Sequence, residues 1–172
     1  SAQSVSAEVV ATARQALKLN PKLAEPHVAL STVLEHRFQW DSAESEVKTA
    51  LQVDGHSVEA RLRYGQQLRI RGRLVESLRQ FQAARDDDPA SAVIASHLSY
   101  GWYLAGQLDS ALAESARAER IDSLNQTTLQ FGAEIRLAAG PQREARQPIQ
   151  RLNRPRAGIT LYVLAKTGDR ET

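Results

Sequence analysis

The sequence predicts an all-α protein built from antiparallel helix hairpins. Three observations carry this. Good helix formers (Ala, Leu, Arg, Gln and Glu) dominate the 172 residues. β-branched residues do not gather into the alternating runs that strands need. Small and turn-forming residues recur at a fixed step of 34 positions.

Five registers keep that step. Asn20, Asp54, Asp88 and Asp122 form one, and the residues after them, Pro21, Gly55, Pro89 and Ser123, form another. Ala16, Ala50, Ala84 and Ala118 form a third, with Ala43, Ser77, Ala111 and Ala145 in step beside them. Gly72, Gly106 and Gly140 complete the set. The small residues let two helices approach closely, since a large side chain there would overpack. The glycines end a first helix, where a left-handed residue costs little. The Asn or Asp before Pro, Gly or Ser closes a second helix and opens a turn.

The elements follow in order. A leading helix over 6–19 stops at Asn20-Pro21. A first pair spans 24–37 and 41–53, filled by Leu30 and Val47 and closed by Asp54-Gly55. A second spans 58–71 and 74–86, with Tyr64 and Phe81 inside and Gly72 between. A third spans 92–105 and 108–121, built on Leu98 and broken at Gly106. A fourth spans 126–139 and 141–152, and a last helix covers 157–167. The layout is one domain over 1–172: a partial repeat at 1–23, regular repeats at 24–57, 58–91 and 92–125, an irregular one at 126–153 and a truncated one at 154–172.

Three places depart from regularity. Arg61 holds a position that is otherwise bulky and apolar, so its stem is expected to snorkel past the neighbouring hairpin. Pro148 falls inside a second helix, where it deletes a hydrogen bond at a cost of roughly 3 kcal/mol unless the helix kinks or breaks. The next glycine, Gly168, arrives early for the 34-residue step, with Pro155 and Gly158 in the same zone.

Composition excludes some chemistry. With no cysteine there is neither a disulfide framework nor a thiolate metal site, which suits a reducing, cytoplasmic compartment. The absence of methionine points to an excised fragment or a processed chain. No apolar run approaches the roughly 20 residues that span a bilayer. The net charge is only +2, and arginine far outnumbers lysine, an association with high-GC bacterial sources.

The repeat resembles the tetratricopeptide repeat (TPR). The third regular repeat carries Leu98, Ser99, Trp102, Gly106, Ala111 and Ala118 of its pattern, and the second carries Tyr64, Gly65, Leu68, Gly72, Phe81, Ala84 and Pro89. The resemblance covers essentially the whole chain and implies a right-handed α-α superhelix, a TPR solenoid. The stretches Phe38 to Glu44 and Leu98 to Gly106 look like the arrays of bacterial multidomain regulators, which sit beside winged-helix, kinase or cyclase domains.

In such solenoids the first helices line a concave groove. Carried onto this chain, the groove is lined by Glu25, Val28, Thr32, Glu35 and His36, then by Glu59, Leu62, Gln66 and Arg69. Val93, Ser96, Tyr100 and Tyr103 follow, then Thr127, Gln130 and Glu134. Tyrosine combines apolar area with a polar tip and suits a binding hot spot; alternatively, Tyr100 or Tyr103 packs against the next repeat. The clamp with which co-chaperone repeats grip an acidic C-terminus needs Lys and Asn. This lining offers only Arg69, so no such clamp is expected.

Arg61, Arg63, Arg69, Arg71 and Arg73 are dense enough to meet phosphates. Helical spacing scatters them among acidic neighbours, and a solvated, ion-paired face is expected instead of a nucleic-acid site. Arg143, Arg146, Arg151, Arg154 and Arg156 form a second cluster. His27, His36, His56 and His97 are isolated, and no metalloprotease, nucleophile-elbow or phosphate-loop motif appears. Asp88 reads as turn chemistry, and Asp86 and Asp87 as solvated, because carboxylates at a helix C-terminus oppose the dipole.

The function expected is a non-catalytic protein-interaction scaffold that binds a peptide or helix in the groove, with no cofactor or metal. The other reading is a sensory or oligomerising arm of a bacterial transcription regulator, kinase or cyclase. The chain stops before a polar capping helix. The apolar face of its last helix, through Ile159, Leu161 or Leu164, then meets either following chain or a second copy in a homodimer.

Overall fold

A computed structural model describes residues 2–140 and residue 151. The expectations for 141–152 and 157–167, for Pro148 and Gly168, for the apolar C-terminal face and for the second arginine cluster lie outside them, except that Arg151 is exposed. Among the described residues there are eight helices: α1 (Ala2–Leu19), α2 (Glu25–His36), α3 (Trp40–Val53), α4 (Val58–Ile70), α5 (Leu74–Asp87), α6 (Ala92–Leu104), α7 (Leu108–Ile121) and α8 (Gln126–Ala139). Apart from α1, which starts at Ala2 instead of residue 6, each lies within a residue or two of its expected span. The chain divides into two compact units, Ser1–Asp88 and Pro89–Thr172.

In the first unit α1 packs on α2, α2 pairs with α3, α3 meets α4, and α4 pairs with α5. Ala43, Val47, Ala50, Ala60, Phe81 and Ala84 have no exposed surface. The predicted small positions are therefore where helix backbones meet. Ala16 is only half-buried, because α1 is the first helix and, among the described residues, packs chiefly on α2. Close approach is marked by hydroxyls that reach across to backbone: Ser31 donates to the Ala43 carbonyl at 2.8 Å. Gln67, 2% exposed, ties the two hairpins together by donating to Ser31 at 2.7 Å and to Glu35 at 2.5 Å.

The turns follow the predicted chemistry. Gly72 and Gly106 sit at φ 74° and 75°, and Gly140 at 116°. The side chains of Asn20, Asp54 and Asp122 each accept from the backbone N–H two residues on, at 3.0, 2.9 and 3.0 Å. A further register was not recognised in the sequence: Ser57, Ser91 and Asn125, also 34 apart, are helix N-caps that accept backbone N–H groups of α4, α6 and α8.

In the second unit α6 pairs with α7, and α8 packs against both. Ile94, Leu98, Ala111, Ala118, Leu129, Ala133 and Ile135 form its buried core. Ser96 and Thr128 share a buried hydrogen bond of 2.8 Å between α6 and α8.

Candidate peptide-binding faces

The residues predicted to line a groove fall on α2 and α4 in the first unit and on α6 and α8 in the second. On α2 and α4, Leu62, Gln66 and Arg69 are half-buried and His36 is exposed, its ring Nδ1 2.7 Å from the Thr32 carbonyl. Glu35 is half-buried and engaged, accepting from Gln67 and lying 3.6 Å from Arg63. Val28 belongs to the core instead of the lining, at 6% exposure.

The second unit presents a run of rings. Tyr100 of α6 stacks on Phe131 of α8 with centroids 4.3 Å apart and planes 16° from parallel. Tyr103 tilts against Tyr100 at 5.7 Å, and His97 meets Phe131 edge-on at 5.3 Å. Tyr100, Tyr103 and Phe131 all keep part of their surface exposed. Tyr100 thus both packs against the next repeat and shows a face to solvent. Gln130 and Glu134 are half-exposed beside these rings on α8, whereas Ser96 is 1% exposed, its hydroxyl committed to Thr128. Phe131 was not among the expected lining residues, and His97, expected to be isolated, meets it. The signal was there, for these two stand one period apart.

The α6 segment AVIASHLSYGWYL contains no Asp, Glu, Lys or Arg. In the first unit, by contrast, Arg61, Arg63, Arg71 and Arg73 all have acidic partners. Arg61 lies 2.9 Å from Asp87 and donates to the Gly55 carbonyl at 2.5 Å, the expected snorkel with its head tied down. Asp87, expected to be solvated, takes that arginine and also His56 at 2.8 Å. The His56 hydrogen bond, aided by Arg61 and opposed by burial, holds the Asp87 carboxyl below its usual range. Arg63 pairs with Glu35 and Glu59, Arg71 with Asp41 and Glu44, and Arg73 with Glu44 and Glu76.

Glu44 is the centre of this network. It is 7% exposed, with Lys48 at 2.6 Å and Arg71 and Arg73 each at 2.9 Å. The Tyr64 hydroxyl donates to it at 3.3 Å. Burial alone would raise its pKa; the hydrogen bonds and charges of Lys48 and Arg73 overcome that and lower it to about 2. Among the described residues no group of three or more His, Asp or Glu could hold a metal ion, and no helix is long and apolar enough to cross a membrane.

No family model and no curated protein matches the chain. Solved structures do. Pseudomonas aeruginosa pilF is similar over 98% of this chain and 80% of its own, with 18% identity and a TM-score of 0.82. TTC0263, a thermophilic TPR protein of Thermus thermophilus, is similar over 93% of this chain and 89% of its own, at 17% identity and a TM-score of 0.76. YrrB, a TPR protein with an unusual peptide-binding site, is similar over 92% and 85%, at 16% identity and a TM-score of 0.67. At such identities the likeness is one of fold, and the fold is the tetratricopeptide-repeat solenoid.

Proposed function

We propose that this chain, a TPR solenoid by fold, is a non-catalytic interaction scaffold that holds an extended peptide or a helix on the faces of its first helices. The observation that carries the reading is the ring run on α6 and α8. Tyr100 is pre-set by its stack on Phe131, so a partner meets aromatic surface already ordered. Tyr103 extends that surface, and Gln130 and Glu134 supply hydrogen-bonding groups at its side. Glu35, His36, Leu62, Gln66 and Arg69 form the corresponding face of the first unit. The peptide-binding site of YrrB, a protein of like fold, supports the reading by analogy.

The test is affinity capture on the immobilised chain, with the Tyr100→Ala, Tyr103→Ala double variant alongside. Partners held by the wild type and lost by the variant are expected. Identical capture by both proteins overturns the assignment of this face.

A further inference from the structure

The turns after α4 and α6 share one construction. The glycine N–H bonds to the carbonyl three residues back, and the next N–H to the carbonyl five back: Gly72 to Arg69 with Arg73 to Leu68, and Gly106 to Tyr103 with Gln107 to Trp102. The turn after α2 is built identically, with Phe38 N–H on Glu35 and Gln39 N–H on Leu34. Phe38 therefore stands in the glycine place, at φ 58°. A bulky residue there is strained where glycine is not. The ring gains little shelter in exchange, being 77% exposed, with Trp40 edge-on at 6.1 Å. Neither the backbone nor the core accounts for a phenylalanine at this place.

Phe38, Trp40 and Ile70 line a hollow of about 650 Å³, together with Asp41 and Arg71. Ile70 is itself 59% exposed. The volume suits one or two inserted side chains. Two exposed apolar residues and a half-buried tryptophan fall far short of the ~1,200–2,000 Å² that a stable interface between folded subunits buries, which favours a short segment over a second copy. Charge narrows the occupant further. Arg71 is matched by Asp41 and Glu44, and Arg73 by Glu44 and Glu76. Arg37, exposed and next to Phe38 in the chain, makes no ion pair among the described residues. One positive charge is thus left without an ion pair at the residue that precedes Phe38 in the chain.

We infer that this hollow is a docking site, using none of the residues of the α6 and α8 face, for a short protein segment that inserts one bulky apolar side chain beside Phe38 and Trp40 and sets an adjacent Asp or Glu against Arg37. The segment is recognised by that pairing of an apolar anchor with a neighbouring carboxylate.

The experiment selects a random peptide library displayed on phage against the full chain, with counter-selection on Phe38→Gly. Enriched peptides are expected to carry a large apolar residue next to an acidic one. They should bind the wild type at least tenfold more tightly than Phe38→Gly, and Arg37→Gln should abolish the preference for the acid. Because glycine relieves the strain, Phe38→Gly should unfold at the same temperature as the wild type or higher, which separates lost docking from lost folding. The same peptides should bind the Tyr100→Ala, Tyr103→Ala variant undiminished. Failure to recover peptides that discriminate Phe38→Gly overturns the site, as does enrichment of basic motifs. A wild-type dimer that Phe38→Gly converts to monomer reassigns the hollow to a second copy and likewise overturns the proposal.

Discussion

The Ser77 hydroxyl donates a 2.7 Å hydrogen bond to the Gly65 carbonyl, so α5 lies directly on the backbone of α4. One period earlier the donor is on the other helix, with Ser31 of α2 reaching Ala43 of α3 at 2.8 Å. The same pair of positions makes the same close approach with the hydroxyl exchanged between partners. What the repeat requires there is smallness on both sides.

Gly65→Ala is therefore predicted to be costly. A Cβ on Gly65 would stand 2.5 Å from the ring of Phe81, which is fully buried and has nowhere to retreat. Overpacking of this kind costs about 1–3 kcal/mol. Urea titration should show that loss with an unchanged slope; a variant as stable as the wild type would mean that Phe81 repacks freely.

Acid should unfold the first unit partly through Glu44. Its folded pKa, about 2, lies below the ordinary 4.5. The sign follows: the native state holds its charged form more tightly, so the stabilisation is complete above the ordinary value. It is lost as the pH falls from about 4.5 to about 2. A shift of this size corresponds to roughly 3 kcal/mol. Glu44→Gln should lower stability at neutral pH by about that amount and flatten the fall across the same window. Equal pH slopes for both proteins would remove Glu44 from the account.

The sequence made most of the fold legible because the turns are chemically marked. Gly72, Gly106 and the Asn/Asp series place helix ends to within a residue or two. The start of α1 was not legible, since Ser1, Ser4 and Ser6 are residue types equally able to open a helix and nothing in the pattern selects among them. Phe38 stands one period before Gly72, and only its φ of 58° shows that the turn kept its shape there and strained the residue. The face residues were harder. Ser96 and Tyr100 stand a helical turn apart on α6, yet one is buried on Thr128 and the other half-exposed on Phe131. Both face α8, so the difference follows from which α8 side chain each one meets, Thr128 or Phe131, and that pairing is set by the packing of the two helices.

The N-cap register gives a graded prediction. Asn125 accepts two backbone N–H groups of α8, at 3.0 and 3.2 Å, whereas Ser57 accepts one of α4 at 3.4 Å. Asn125→Ala should cost about 1 kcal/mol, and Ser57→Ala less. Chemical denaturation of the two variants checks the order, and a larger loss at Ser57 would contradict the geometry.

Phe131 and Tyr103 should separate support from recognition. Phe131 lies between Tyr100 and His97, so Phe131→Ala removes the surface that orders Tyr100. Tyr103 meets this run through Tyr100, with the two rings tilted at 46°. Phe131→Ala is expected to lower stability by about 1–3 kcal/mol, as for a partly exposed aromatic truncated to Ala, and to weaken the capture that depends on the α6 and α8 face. Tyr103→Ala should weaken that capture while shifting the unfolding midpoint by less than about 0.5 kcal/mol. If Tyr103→Ala destabilises as much as Phe131→Ala and leaves capture intact, the ring run is a packing device, and binding must be sought on the α2 and α4 face instead.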